Sequence, residues 1–285
     1  DLAPATESDL FRDTFPDRFF TAGIAEANMI GVAAGMARCG DIPFVHSFSV
    51  FLTRRAFDQV AMQVAYPSLN VKLVGFLPGL TTLLGVSHQA IDDLALMRVL
   101  PNMTVIEPAG ASQTAAAVRA AAKINGPVYL RLHKAREPIT NTAVEKNLEV
   151  GKGQLLRDGD DAVIFACGYM VAEALLAAET LYLSGINVTV ANMHTIKPFD
   201  SEFVLKQSIR TGVVLSAENH SVIGGLGSAI AEVLAERPAG VDIDFKRIGI
   251  SDTFAEGGTT AYLFDKYGLS ARHIVAAVND LLERR

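Results

Sequence analysis

The chain has 285 residues, of which half are hydrophobic and a fifth are charged. This length allows two domains of ordinary size, and the composition excludes a disordered protein. The net charge of −6 argues against nucleic acid or an anionic membrane as the main partner. No apolar run reaches about 18 residues, so no membrane span is expected. Cys39 and Cys167 lack a CxxC or Cys/His companion and predict buried thiols in a reducing cytoplasm.

Strand-like and helix-like segments alternate along the chain, which predicts an α/β fold. We expect two domains, each a mostly parallel sheet with helices on both faces, over residues 1–135 and 148–285, joined by a polar linker at 136–147. The predicted helices are 24–39, 51–65, 91–100, 112–124, 171–184, 201–210, 225–234 and 271–284. The predicted strands are 43–47, 71–76, 104–106, 128–131, 162–167, 187–192, 212–218 and 245–248.

One carboxylate stands out in the first predicted helix. The segment TAGIAEANMIGVAAG, residues 21–35, is rich in small and apolar residues and predicts a buried helix that opens at the Gly23 turn. Glu26 then lies near the helix N-terminus inside a core. A buried carboxyl group suits a proton-relay role, whereas an acid in a first turn also simply complements the helix dipole. The isolated segment leaves both interpretations open.

Four ordered motifs carry a family resemblance: GIAEANMIGVAAGMA, SFSVFLTRRAFDQV, GVSHQAIDDLALMRVLPN and GPVYLRLHK. Together they resemble the pyrimidine-binding domain of the transketolase family of thiamine-diphosphate enzymes. The resemblance continues through GINVTVANMHTIKPFD and ENHSVIGGLGSAI into that family's C-terminal domain. It implies that Glu26 bonds to the N1′ side of the aminopyrimidine and thereby helps to generate the reactive thiazolium carbanion. Because residues 1–4 resemble the loop after this domain's first strand, we expect a helix and a strand to precede them.

The resemblance also assigns aromatic and proton-transferring residues. Phe48 and Phe51 match positions that pack against the aminopyrimidine ring, although ordinary core packing is the alternative. His88 matches a histidine that faces the reacting carbonyl or hydroxyl of the substrate, and an imidazole transfers protons readily near neutral pH. Arg54 and Lys134 match cationic positions that in some relatives bind the substrate's phosphate. Both could instead be solvated surface charges.

Two positions depart from the transketolase pattern. Leu84 stands where most transketolases have an aspartate that reads a substrate hydroxyl, and Phe76 stands where those acting on sugar phosphates have a phosphate-binding histidine. Loss of an acid and a cation weakens recognition of a hydroxylated, phosphorylated sugar. We therefore predict either an acceptor less polar than a pentose phosphate or an acceptor that is held elsewhere.

A missing motif predicts a partner subunit. The family holds the diphosphate and Mg²⁺ through a Gly-Asp-Gly motif, which this sequence lacks. Asp158-Gly159-Asp160 is typical of a turn, and the glycine-rich stretch 224–227 is only a weak candidate for an anion cradle. The resemblance thus implies no metal ligand in this chain. It implies thiamine diphosphate and Mg²⁺ held mainly by a partner with the diphosphate-binding domain, in an α₂β₂ complex.

Three functions remain open at this point. The first is transfer of a two-carbon ketol unit from a ketose to an aldehyde. The second is the decarboxylation of a 2-oxo acid, as in a deoxyxylulose-phosphate-type synthase or a dehydrogenase β-subunit, which Arg54 slightly favours. The third is a catalytically silent partner subunit, against which the joint presence of Glu26, Phe51 and His88 argues.

Overall fold

The computed structural model describes residues 8–133 and 148–285. Its strands are β1 (Phe44–Phe48), β2 (Lys72–Phe76), β3 (Thr104–Ile106), β4 (Val128–Leu132), β5 (Gln154–Arg157), β6 (Ala162–Ala166), β7 (Val188–Asn192), β8 (Thr195–Lys197), β9 (Val213–Ser221) and β10 (Asp244–Ile250). The α-helices are α1 (Asp9–Thr14), α2 (Glu26–Arg38), α3 (Phe57–Gln59), α4 (Asp93–Val99), α5 (Ala111–Lys123), α6 (Met170–Leu183), α7 (Ser201–Thr211), α8 (Leu226–Ala235), α9 (Thr260–Lys266) and α10 (Ala271–Glu283). A short 3₁₀ turn covers Pro16–Arg18, and Phe51–Arg55 and Val60–Ala65 have π-helical geometry.

The strands form two five-stranded sheets. The first has the order β1-β2-β4-β3-β8 and the second the order β10-β9-β6-β7-β5. Each is parallel except at one edge, where β8 runs antiparallel to β3 and β5 runs antiparallel to β7. Phe48 and Phe76 are register partners at the carboxyl ends of β1 and β2.

Both sheets are covered by helices on both faces, as parallel sheets require. In the first sheet, Leu73 packs with Met97 of α4 on one face, whereas Leu130 packs with Ala117 of α5 on the other. In the second sheet, Phe165 shares a core with α8 and Ile164 shares a separate core with α6 and α10. The predicted α/β class with two mostly parallel sheets is confirmed.

The two sheets are joined more closely than the predicted domain boundaries suggest. Strand β8 is part of the predicted second domain, yet it pairs with β3 and completes the first sheet. One continuous hydrophobic core also contains residues of both sheets, for example Leu73 and Phe165. The boundaries at residues 135 and 148 stay predictions, and the proposed linker at 136–147 lies outside the described residues.

The structure changes two local expectations. Residues 51–65, which we expected to be one helix, contain two π-helical segments around the short α3. Cys167 is buried as predicted, but Cys39 is exposed, because it follows α2 at its C-terminal end and points away from the core. None of the helices in the described part of the chain is long and apolar enough to cross a membrane.

Candidate active site

Glu26 is the first residue of α2 and is buried, with 3% of its surface exposed. The positive φ of Gly23, +71°, turns the chain just before the helix, so the carboxylate enters the core at the N-terminus of α2, where the helix dipole favours a negative charge. Oε2 accepts a hydrogen bond of 2.8 Å from Nη1 of Arg55. Oε1 has no hydrogen-bond partner among the described residues. Within residues 8–133 and 148–285, one carboxylate oxygen therefore stays unpaired.

The π-helical turn Phe51–Arg55 places an aromatic ring and a cation beside Glu26. Helices of this kind are rare and occur often at functional sites. The Arg55 guanidinium lies over the Phe51 ring, 4.2 Å from its centroid, while it bonds to Glu26. Arg55 was not predicted as a site residue. Its position four residues after Phe51, within the same helical stretch, was the available signal.

Phe48, Phe51 and His88 form one aromatic cluster. The ring of His88 lies 5.4 Å from that of Phe48 and 5.1 Å from that of Phe51, and the two phenyl rings are 5.9 Å apart, all with edge-to-face geometry. Such pairs contribute about 0.5–1.5 kcal/mol beyond the burial of their area. The structure thus brings three of the predicted site residues into direct contact. Ser87 Oγ lies 3.0 Å from Nδ1 of His88.

Of the two predicted phosphate-binding cations, Arg54 and Lys134, the structure describes only Arg54. Nε of Arg54 donates to both carboxylate oxygens of Asp92, at 2.8 and 2.9 Å, and Nη2 is 3.4 Å from the carbonyl oxygen of Gln89. Arg54 is therefore tied to the segment that follows His88, and its role towards substrate stays a prediction. Lys134 lies outside the described residues.

Phe76 and Leu84 occupy different surroundings. Phe76 is half-buried and its ring lies 5.6 Å from the ring of His46. Burial lowers the pKa of His46 to about 4, so this imidazole is neutral at pH 7 and does not replace a phosphate-binding cation. Leu84 is 57% exposed on the loop that carries His88.

A fully buried ion cluster, missed by the sequence analysis, lies under this loop. Nε and Nη2 of Arg131 donate to the two carboxylate oxygens of Asp93, at 2.7 and 2.9 Å, and Nη1 donates to Glu107 at 2.6 Å. Nη2 also reaches the carbonyl oxygen of Ala90 at 3.3 Å. Burial alone would raise the pKa of Glu107, but the charge of Arg131 and the bond from His133 hold this pKa at about 2. Residues 93, 107 and 131 meet only in the folded chain, so their spacing in the sequence did not predict this ion cluster.

The glycine-rich stretch 224–227 does not present an open anion cradle. The amides of Leu226 and Gly227, at the N-terminus of α8, donate to the buried carboxylate of Glu218 at 2.7 and 2.8 Å. A Cβ on Gly225 would overlap the same carboxylate. Burial raises the pKa of Glu218, and the helix N-terminus supplies the partners that the carboxylate needs.

Within residues 8–133 and 148–285, no group of three or more His, Cys, Asp or Glu side chains is arranged to hold a metal ion. A cavity of about 490 Å³ lies between α4 and β8, lined in part by Arg98 and Lys197, and none of the predicted site residues that the structure describes lines it. The aromatic cluster and Glu26 therefore form a site that is separate from this cavity. A buried carboxylate that Arg55 links to an aromatic ring fits an aminopyrimidine.

Comparison with known families gives two matches along this chain. The transketolase pyrimidine-binding domain matches residues 1–138, and the transketolase C-terminal domain matches residues 151–274. The chain belongs to the transketolase family. Members of this family use thiamine diphosphate.

Individual relatives include subunits of split enzymes. The chain is 48% identical to the 6-deoxy-6-sulfo-D-fructose transketolase subunit of Clostridium sp. strain MSTE9, over 100% of this chain and 88% of that protein. A solved structure of a split-gene transketolase, described as an inactive β4 tetramer, is 47% identical, with a TM-score of 0.90 over 99% of this chain and 90% of that one. The 1-deoxy-D-xylulose-5-phosphate synthase of Syntrophotalea carbinolica is 36% identical over 95% of this chain but only 43% of that protein.

Proposed function

We propose that this chain is one subunit of a thiamine-diphosphate-dependent transketolase, which transfers a two-carbon ketol unit from a ketose donor to an aldehyde acceptor. The observation that carries the proposal is the buried Glu26 carboxylate, which has one oxygen unpaired among the described residues and is linked to the Phe51 ring through the Arg55 guanidinium. A carboxyl group placed in this way can hold a proton against a ring nitrogen.

Each candidate residue has a role in this proposal. When bound, thiamine diphosphate supplies a carbon nucleophile that adds to the donor carbonyl. Glu26 bonds to the pyrimidine nitrogen and holds the proton there. Phe48 and Phe51 orient the ring by packing against it. His88, in edge contact with both rings, moves a proton to or from the substrate oxygen.

A partner subunit that carries the diphosphate-binding domain and Mg²⁺ completes the site, in an α₂β₂ complex. Support comes from apolar side chains left exposed near candidate residues in sequence: Phe20, Ile24 and Leu83 are 64–74% exposed. Large exposed apolar side chains that cluster around a site indicate a protein interface. A second support is the split-gene relative, whose β subunits alone form a tetramer that its description calls inactive.

The donor and acceptor follow from the departures at Phe76 and Leu84. We propose an acceptor less polar than a pentose phosphate, or one bound by groups elsewhere, because neither position offers a charge. The name of the clostridial relative makes 6-deoxy-6-sulfo-D-fructose a donor to test beside an ordinary ketose phosphate.

The alternative is a synthase that decarboxylates a 2-oxo acid. Arg54, at the position that resembles the deoxyxylulose-phosphate-synthase branch, favours it, as does the relative from Syntrophotalea carbinolica. The bifurcated hydrogen bond from Nε of Arg54 to Asp92 argues the other way, because it engages this cation within the chain. Product assays with pyruvate and with ketose donors distinguish the two activities.

The proposal is tested by calorimetric titration of thiamine diphosphate and Mg²⁺ into the chain alone and into its complex with a diphosphate-domain subunit. We expect binding only by the complex, followed by ketol transfer in assays that compare erythrose 4-phosphate with unphosphorylated aldehydes. Tight binding by the chain alone would overturn the partner assignment. Release of CO₂ from pyruvate without ketol transfer would replace the proposed reaction by its alternative.

A further inference from the structure

The loop that carries Leu84 and His88 connects β2 to α4 and covers residues 77–92. It begins at Leu77, whose φ of +52° is unusual for a residue with a branched side chain. Leu77 packs against the small cluster of Phe48, Val50 and Ala90. A strained backbone conformation such as that of Leu77 persists only where surrounding contacts hold it. The contacts that fix this loop therefore also fix the position of His88.

The N-terminal end of the loop is held by Asn219 on β9, a strand of the second sheet. Asn219 is fully buried. Its Oδ1 accepts a hydrogen bond of 2.9 Å from the amide of Leu80, and its Nδ2 donates to the carbonyl oxygen of Pro78 at 3.3 Å. Gly79 lies between these residues with a φ of +59°, and a Cβ there would overlap the Asn219 side chain and carbonyl oxygen. Only glycine allows this close approach.

The C-terminal end of the loop is held by the segment before α9. Gln89 directly follows His88 and is 2% exposed. Its Nε2 donates a hydrogen bond of 3.0 Å to the carbonyl oxygen of Glu256. Glu256 is itself fixed, since its carboxylate bonds to Tyr262, Tyr267 and Lys266.

Both ends of the loop are held by residues outside the first sheet: Asn219 on β9 and Glu256 before α9. Gly79 and Ala90 are also joined directly, because the amide of Gly79 donates to the carbonyl oxygen of Ala90 at 2.8 Å. The amide of Ser221, two residues after Asn219, donates to the carbonyl oxygen of Ile91 at 2.8 Å. Hydrogen bonds therefore fix both ends of the loop, whereas its middle, around Leu84, is exposed.

We propose that Asn219 and Gln89 are positioning residues: through them the C-terminal part of the chain holds the His88 loop in its reactive geometry. The expected effect on catalysis rests on the proposed function, whereas the anchoring of the loop does not. A group that must approach a substrate oxygen within hydrogen-bond distance loses rate steeply when it is displaced, by about a hundredfold for 1 Å.

Hydrogen exchange on the isolated chain tests the anchoring without any assay of activity. In Asn219→Ala we expect the amides of residues 79–90 to exchange at least about tenfold faster, the equivalent of one lost hydrogen bond. The matched control is Asn192→Ala. Asn192 is also fully buried and is bonded to Gln113 and Gln154, away from the loop. Unchanged exchange in Asn219→Ala, or equally fast loop exchange in Asn192→Ala, would overturn the proposal.

Kinetics of the complex with its partner subunit test the catalytic consequence. We expect Asn219→Ala and Gln89→Leu to lower kcat by about tenfold to a hundredfold with little change in the KM for the donor. Asn192→Ala should retain kcat. Gln89→Leu guards against misfolding of the Asn219 variant, because it removes one side-chain hydrogen bond that holds the loop, whereas Asn219→Ala removes two. If the exchange result holds but kcat is unchanged, the positioning role is refuted. If the wild-type complex transfers no ketol unit, the proposed function fails while the exchange result still decides the anchoring.

Discussion

Arg55 provides the sharpest test of the candidate cofactor site. Its guanidinium bonds to Oε2 of Glu26 at 2.8 Å and lies 4.2 Å above the Phe51 ring. An aminopyrimidine that bonds to Glu26 and packs on Phe51 requires the same two positions. We therefore predict that Arg55 competes with the cofactor and has to swing aside, which its 47% side-chain exposure permits.

The magnitude follows from the two contacts that are given up. Because Arg55 is half-exposed, the ion pair is screened and stabilises by about 0.2–1 kcal/mol. The cation–π contact adds about 0.5–1 kcal/mol at an exposed site. Together these contacts are equivalent to roughly a threefold to thirtyfold change in Kd. Arg55→Leu should bind thiamine diphosphate more tightly by that factor.

Calorimetry of thiamine diphosphate binding to the assembled complex at saturating Mg²⁺ measures this effect. Arg54→Leu is the matched control, because Arg54 precedes Arg55 in the chain but pairs with Asp92 and not with Glu26. Its cofactor affinity should stay within about twofold of the wild type. Weaker binding by Arg55→Leu would refute the competition and would mean that Arg55 supports Glu26 in the bound state.

Three further predictions concern catalysis and stability. Glu26→Gln should lower kcat of the complex by about 10²–10⁴-fold, the usual contribution of a positioned proton-transfer group. Glu173, on α6, accepts a hydrogen bond from the amide of Ala271, so Glu173→Gln should leave kcat unchanged; equal activity of both variants would favour a silent subunit. Burial lowers the pKa of His194 to about 4. An unfolded histidine titrates near 6.5, so between these two values the unfolded chain binds a proton that the folded chain does not. The free energy of unfolding therefore falls by about 3 kcal/mol as the pH drops from 6.5 to 4, and urea titrations should show a smaller loss in His194→Gln. Arg131→Met leaves two buried carboxylates without their cation and should cost about 3–5 kcal/mol by urea unfolding. Arg210 is 31% exposed and pairs with the exposed Asp158 and Asp160, so Arg210→Met should cost less than about 1 kcal/mol.

The alternation of apolar runs predicted most of the regular structure. Strands with continuous apolar residues, such as 71–76 and 162–167, lie in the sheet within a residue or two of their expected bounds. The short edge strands β5 and β8 were missed, because four and three residues are too few to show periodicity and each forms only by pairing with an existing sheet. The π-helical turns were missed because their hydrophobic spacing resembles that of an ordinary helix.

The candidate site was predictable where one local motif supplied the residue. Glu26, Phe48, Phe51 and His88 each belong to such a motif, and the last three contact one another as rings. Residues that act through distant partners left no such signal. Asn219 lies 139 residues after Leu80, whose amide it binds, so only the folded chain reveals the contact.

The antiparallel pairing of β8 with β3 has a consequence for how this chain can be divided. A fragment that stops before Thr195 would leave the backbone groups of Val105 and Ile106 at an open sheet edge, and open edges recruit strands from other molecules. A break anywhere between Ile106 and Thr195 would therefore separate the first sheet from its own edge strand, and the two pieces should aggregate more readily than the unbroken chain.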